Sequence, residues 1–249
     1  GTRSELAVPI IHRGIVVGII NLESKRVGGF TRAHVEFLET LAAQAAVAIN
    51  NARTYEEQME RSELLRRRAE QLSHLFDIGQ TMRTDRPLEE VLTEVAFAVQ
   101  ETVGYDVALI SIREGDRQKR IAAAGVPLEE FERMQQVCQP WADLEAVFQK
   151  EFRIRNSYYI PYERAEVADH LDTLSLEQGD FERELGRWHP EDMLIVPLCA
   201  SEERILGILS VDKPRDGRVP DRSTVEVLEI FAAQAALAVE NARLVENLK

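Results

Sequence analysis

The chain has 249 residues, 45% of them hydrophobic, and a formal charge of −13 from 43 acidic and 30 basic side chains. That length allows one or two domains, and the acidic balance argues against non-specific nucleic-acid binding or docking on an anionic membrane, both of which need clustered Lys and Arg. No apolar run reaches the length of a membrane span and no signal peptide opens the sequence, while two cysteines far apart, Cys138 and Cys199, fit a reducing cytoplasm better than a disulfide framework.

The first apolar runs, Leu6 to Ile11 and Ile15 to Leu22, flank the polar turn His12-Arg13-Gly14 and predict a β-hairpin, with Pro9 marking an edge or a bulge. A two-stranded hairpin is marginal in water, so its own helix or a second copy of the chain must cover it. A loop with Gly28-Gly29 follows, and Thr31 is placed to cap a helix. That helix includes VEFLETLAAQAAVAINNAR, Val35 to Arg53. Val35, Leu38, Ala42, Ala46 and Ile49 form one apolar stripe. A second stripe, Leu41, Ala45, Ala48, Ala52, Tyr55 and Met59, lies on another face. A helix apolar on two faces must bury both: one on a sheet, the other, rich in Ala, against a partner helix from another copy.

From about Arg32 to Thr81 no residue breaks the helix except Gly79 near its end. Residues 54–80 are read as a helical linker, with Glu57–Arg61 and Glu63–Arg67 at favourable i,i+4 spacing. At 1.5 Å per residue the whole rod would reach about 70 Å. His74, in Leu72-Ser73-His74-Leu75, lacks the Glu-Leu-Arg-Thr-Pro continuation of a phosphoacceptor helix, so it is read as a surface or interface histidine. Residues 87–103 predict an amphipathic helix, capped by Asp85 or Thr84 with Pro87 in its first turn. Val107 to Ile112 and Arg120 to Ala124 predict strands. Between 125 and 192 come two helical patches (127–138 and 140–150), a strand over Phe152 to Pro161, and a charged stretch ending Arg187-Trp188-His189-Pro190.

The last quarter repeats the beginning. Leu194 to Cys199 and Ile205 to Val211 match the first hairpin, and VEVLEIFAAQAALAVENAR, Val225 to Arg243, matches the first helix at roughly two thirds of its positions. Asp221 and Ser223 are candidate caps here. By the same reasoning Phe231, Ala235, Ala238, Ala242 and Val245 are assigned to a dimer interface.

The pattern L-x-V-P-[IL]…[IV]-x-G-[IV]-[IL]-x-[LV]-[ED], followed by a helix ending A-x-[AV]-x-x-N-A-R, resembles the C-terminal half of a GAF domain, a sensory module of signalling proteins. Residues 1–55 resemble the tail of one such domain and 71–249 a complete one with an insert at 125–192, so the chain reads as an excerpt of a longer protein. The resemblance implies an α+β fold: a central antiparallel sheet flanked by helices, with a long helical linker leaving the first unit. It also implies a ligand pocket on the side of the sheet carrying the insert. There Trp141, Tyr158, Tyr159 and Trp188 offer flat walls, Arg153 or Arg155 an anion clamp, and His189 with Asp192 a titratable pair. Alternatively the tryptophans pack the insert onto the sheet and the arginines pair with acidic neighbours.

No P-loop, HExxH, zinc-ligand spacing or G-x-S-x-G is present. The cyclic-nucleotide signature of the family and the phytochrome-type cysteine context are also missing, so no metal or nucleotide cofactor is assigned and the ligand stays open. Some GAF-fold proteins reduce free methionine sulfoxide with cysteines, but Cys138 and Cys199 have no obvious resolving partner and fit small buried hydrophobes. The expectation is a non-catalytic small-molecule sensor and homodimerising module of a bacterial-type cytoplasmic signalling protein, its effector domain outside this chain. The alternative is a structural dimerisation spacer with a closed pocket.

Overall fold

The computed structural model describes residues 1–82, 86–137, 139–172, 184–199 and 204–247, with backbone alone for 71–82 and 247. The chain forms two compact units, Gly1–Glu63 and Leu64–Lys249. The expectations for His74 and Cys138, and for Thr84 and Asp85 as caps, fall outside the described side chains.

In the first unit β1 (Ser4–His12) pairs antiparallel with β2 (Ile15–Ser24), and the register shifts between Ile10 and Ile11, next to Pro9. Arg13 and Gly14 make the turn at φ 48° and 82°, the left-handed pair that a two-residue hairpin loop requires. Helix α1 (Arg32–Met82) starts after Thr31, whose carbonyl accepts the His34 and Val35 N–H groups while His34 Nδ1 accepts the Thr31 N–H at 3.0 Å. Val8 and Ile10 meet the Leu38, Ala42 and Ala46 stripe to form a small core.

The second unit is built in the order α2 (Leu88–Val103), β3 (Tyr105–Glu114), β4 (Arg117–Ala124), α3 (Leu128–Gln136), β5 (Gln139–Pro140), α4 (Trp141–Glu145), β6 (Arg153–Ile154), β7 (Ser157–Ile160), β8 (Met193–Cys199), β9 (Ile205–Pro214) and α5 (Arg222–Asn247). Its sheet is antiparallel throughout, in the order β5-β4-β3-β9-β8-β7-β6. Pro197 pairs with Ile208 of β9 and lies beyond the Met193 to Ile195 stretch that β7 pairs, so among the described residues β8 has one neighbour there, the setting in which a strand tolerates proline. Helix α2 begins directly after Pro87, whose carbonyl takes the Glu90 and Val91 N–H groups, and ends at Gly104 with φ 88°. One sheet face is covered by α2 and α5, with Leu65 and Ala69 joining a core of Leu92, Val95, Val99, Ile110, Leu209 and Leu228.

Two expectations are corrected by this packing. Phe152 to Pro161 is not one strand: it turns back at Arg155-Asn156, so that Arg153 pairs with Tyr158. The turn needs a positive φ at Arg155, 58°, and is held by Glu229 of α5, which accepts the Asn156 N–H at 2.8 Å and the Ser157 hydroxyl at 3.0 Å. The assignment of Phe231, Ala235 and Ala238 to an exposed apolar face is the second. They are buried in their own unit, in the core that α5 shares with α2. Ala242 is half-buried and Val245 exposed toward the helix end.

Candidate functional site

The face of the second sheet turned away from α2 and α5 holds a cavity of about 350 Å³, at the lower end of the range for small-molecule sites. Its floor comes from β3 (Val107, Leu109), β9 (Ile208, Ser210) and β8 (Ile195), which point away from the helices by strand alternation. Residues 165–172 and Pro190 to Met193 form its other walls.

Strand β4 contributes two polar side chains through a bulge. Ile110 pairs with Ala122 but Ser111 with Arg120, so Ile121 is an extra residue. The extra residue reverses which face the even positions take. Ala122 and Ala124 therefore pack in the helix-side core, while Gln118 and Arg120 line the cavity. Arg120, 3% exposed, donates from Nη1 to the Met134 carbonyl at 2.9 Å and from Nη2 to the Asp172 carbonyl at 2.6 Å, and pairs with the Asp172 carboxylate at 3.0 Å. Burial lowers its guanidinium from the ordinary value; the Asp172 charge opposes that and Arg133 adds to it. Gln139 ties the same segment down, donating to the His170 carbonyl at 3.2 Å and accepting the Asp172 N–H at 3.4 Å. Among the described residues Gln118 Oε1 and Arg120 Nε are buried without a hydrogen-bond partner, a costly condition for polar atoms shut off from water.

A sequence profile of the GAF domain matches residues 87–239, more than half of the chain. The chain belongs to the GAF domain family. A second GAF domain profile matches residues 1–50. Among solved structures, the GAF domain of an Acinetobacter phosphoenolpyruvate-protein phosphotransferase is similar at 18% identity over 76% of this chain and 96% of that one, with TM-score 0.48. A methyl-accepting chemotaxis protein fragment matches at 20% identity over 68% and 98%, TM-score 0.46. The free methionine-R-sulfoxide reductase of Neisseria meningitidis, in complex with its substrate, matches at 16% over 74% and 93%, TM-score 0.47. No curated protein matches.

Of the eight side chains assigned to a ligand site in this GAF domain, one lines the cavity: Asp192. It is buried and accepts the Tyr159 hydroxyl at 2.7 Å, the Tyr162 N–H at 2.9 Å and the His189 N–H at 2.9 Å. A backbone contact thus joins His189 to Asp192, while the His189 ring stacks on Tyr162 at 3.9 Å and its Nδ1 accepts the Glu191 N–H. Tyr159 and Trp188 pack against the helix-side core, with Trp188 Nε1 donating to Asp212 at 2.9 Å. Trp141 is buried in a cluster with Leu144, Val147, Phe152 and Ile160, with Arg113 over its ring at 5.2 Å. Tyr158 lies against Phe148 at 4.9 Å between centroids. The arginines clamp the chain's own groups: Arg153 donates to the Arg155 carbonyl, and Arg155 pairs with Glu229 at 3.1 Å and Glu226 at 3.5 Å. These seven residues position the insert and leave the cavity to others.

Gln118, Arg120, Met134 and Asp172 are among the lining residues that the sequence reading missed. Alternation along β4 puts Gln118 and Arg120 on one face but puts Ala122 and Ala124 there too, so the sequence pattern alone does not single them out. Along α1 the second stripe stands open in the single chain: Leu41, Ala48, Ala52, Tyr55 and Met59 are exposed and Ala45 half-buried. Cys199 is exposed and does not line the cavity.

Proposed function

We propose that the chain is a small-molecule-sensing and dimerising module of a multidomain, bacterial-type cytoplasmic signalling protein, and that it acts without catalysis. The cavity of about 350 Å³ carries this reading, and membership of the GAF family supports it. A bound molecule would compete for Arg120 and Asp172, which tie β4 to the 168–172 segment. The change would pass to α5 through the β6–β7 turn that Glu229 holds, and from α5 to an effector outside the chain. A ligand shifts such an equilibrium only by its difference in affinity for the two states. The exposed stripe from Leu41 to Met59 is the surface on which a second copy would pack.

The spacer reading requires a closed pocket, and the open volume weighs against it. Native mass spectrometry of freshly purified chain should release a bound small molecule. Spin labels on α5 of the two copies should change separation when it is stripped; an unchanged separation at saturating ligand defeats the mechanism. Sedimentation should give a dimer, and a monomer at micromolar concentration defeats the interface.

A further inference from the structure

We infer that residues 162–172 are a latched strap over the GAF cavity, which swings from a hinge near Arg164 to admit and release the sensed molecule when the Arg120–Asp172 clasp lets go. This gating rests on the sensing role proposed above. The strap starts as a 3₁₀ segment, Tyr162–Ala168, whose helical run is broken at Arg164 (φ −122°, ψ 19°). Ala165, Ala168, Asp169, Leu171 and Asp172 form one wall of the cavity. Among the described residues the strap pairs with no strand. Its backbone bonds are local, from the Arg164 N–H to the Pro161 carbonyl at 2.9 Å and from the Leu171 N–H to the Ala168 carbonyl at 2.8 Å. A short 3₁₀ run that turns small residues toward a cavity has little of its own to hold it in place.

The ties that hold the strap are mostly polar and sit at its two ends. At the start, Asp192 accepts the Tyr162 N–H at 2.9 Å. At the far end the ties come from four other elements. Strand β4 supplies Arg120, whose Nη2 donates to the Asp172 carbonyl at 2.6 Å and meets its carboxylate at 3.0 Å. Strand β5 supplies Gln139, bonded to the His170 carbonyl and the Asp172 N–H. His170 Nε2 donates to the Asp143 carbonyl of α4 at 3.1 Å, and Arg133 of α3 lies 3.5 Å from the Asp172 carboxylate. Arg120 is also fixed to the Met134 carbonyl, so the strand's half of the clasp stays in place when the strap leaves. Between the two ends Ala168 is buried on the Trp141 cluster, while Val167 and Leu171 are only partly buried there. A segment pinned this way opens at a lower free energy than the sheet behind it.

Hydrogen exchange by mass spectrometry on the full 249-residue chain tests the latch without any ligand. The amides of 165–172 should exchange at least about ten-fold faster than those of β3 and β9. Asp172→Asn, which discharges the clasp, should quicken them by about ten-fold more while β3 and β9 keep their rates. Should Asp172→Asn quicken the whole core, Gln139→Met decides, because it removes two ties and leaves the ion pair. Quickening confined to 165–172 supports the latch; quickening of β3 and β9 in step, or none at all, overturns it. Entry is read with Val107→Cys, at a cavity residue 4% exposed, in a chain whose own cysteines are changed to serine. Dithiodipyridine should label that thiol about ten-fold faster in the variant that frees the strap, and an unchanged rate overturns the gating. A chain that passes both tests but releases no small molecule in native mass spectrometry keeps the latch and loses the sensor. A released molecule with unchanged exchange and labelling keeps the sensor and loses the latch.

Discussion

The chain contains one hairpin-and-helix design twice, and the two copies end in different surroundings. In Leu64–Lys249 the helix residues Phe231, Ala235 and Ala238 are covered by α2 and strand β9 is paired along its far edge by β3. In Gly1–Glu63 the matching residues are Leu41, Ala45 and Ala48, and among the described residues β2 pairs with β1 alone. Phe231 is 0% exposed where Leu41 is 38% exposed. Nearly the same helix sequence therefore has two burial patterns, and the neighbours each copy has decide which one appears. An apolar stripe states that a surface will be covered; it does not state by what.

The comparison breaks most sharply at the helix. Phe231→Ala should cost about 3–5 kcal/mol, the usual loss for emptying a fully buried aromatic position. Leu41→Ala should cost about 1 kcal/mol or less in the single chain. Urea unfolding of each variant measures both. If the Leu41→Ala loss rises with protein concentration, a partner helix covers that face in solution.

The glycines of the two hairpins separate the copies next. A Cβ on Gly207 would lie 2.2 Å from the Ser111 carbonyl oxygen of β3, whereas one on Gly18 would lie 3.3 Å from the Ile10 Cδ1 atom. Backbone cannot yield as a side-chain end can, so Gly207→Ala should destabilise by about 1–3 kcal/mol or more and Gly18→Ala by much less. Equal losses in thermal unfolding would mean that β2 meets a strand like β3.

Much of the architecture was legible because it rests on patterns that neighbours do not alter. The repeat, the hairpins, α2 and the sheet strands follow from periodicity and turn residues. The site was not legible, for a local reason. Arg117 to Ala124 reads as plain alternation, yet the extra residue Ile121 sends Gln118 and Arg120 to one face and Ala122 and Ala124 to the other. A bulge leaves no mark in composition. The aromatic residues drew the sequence reading because they are conspicuous, but Trp141 is core and Trp188 braces Tyr105 and Tyr159. For Arg155 the sequence leaves an anion clamp and pairing with acidic residues both open, and the structure shows pairing, with Glu226 and Glu229, which lie more than seventy residues away in sequence.

Glu229 sharpens the contrast again. It holds the β6–β7 turn by three bonds, from Arg155 Nε, the Asn156 N–H and the Ser157 hydroxyl. Its counterpart in the first copy is Glu39, exposed on α1. Glu229→Ala should cost about 2 kcal/mol, the scale of losing a charge-assisted hydrogen-bond cluster that is partly solvated, and Glu39→Ala should be close to neutral. Amide exchange at Asn156 should quicken in the first variant alone; slow exchange there would show that the turn holds without α5.

The smallest effect lies at the helix starts. Asp221 caps α5, its Oδ1 accepting the Thr224 N–H and the Ser223 hydroxyl, both at 2.7 Å. The matching position before α1 is Thr31, which has no charge to titrate. Burial alone would raise the Asp221 pKa, but the hydrogen bonds from Thr224 and Ser223 outweigh it and the net shift is downward. A carboxyl whose folded value lies below its unfolded value stabilises the fold fully above the unfolded value, about pH 4. That stability is lost as pH falls through the folded value, because the protonated cap no longer accepts as an anion. Asp221→Ala should therefore lower stability by about 1 kcal/mol at neutral pH, and the gap between variant and wild type should close on acidification. Thr31→Ala should show a gap that Thr31 itself does not make pH-dependent. A wild-type-to-Asp221→Ala difference that widened below pH 4 would mean that the uncharged cap holds the helix better than the ion does, against the direction that its two short hydrogen bonds require.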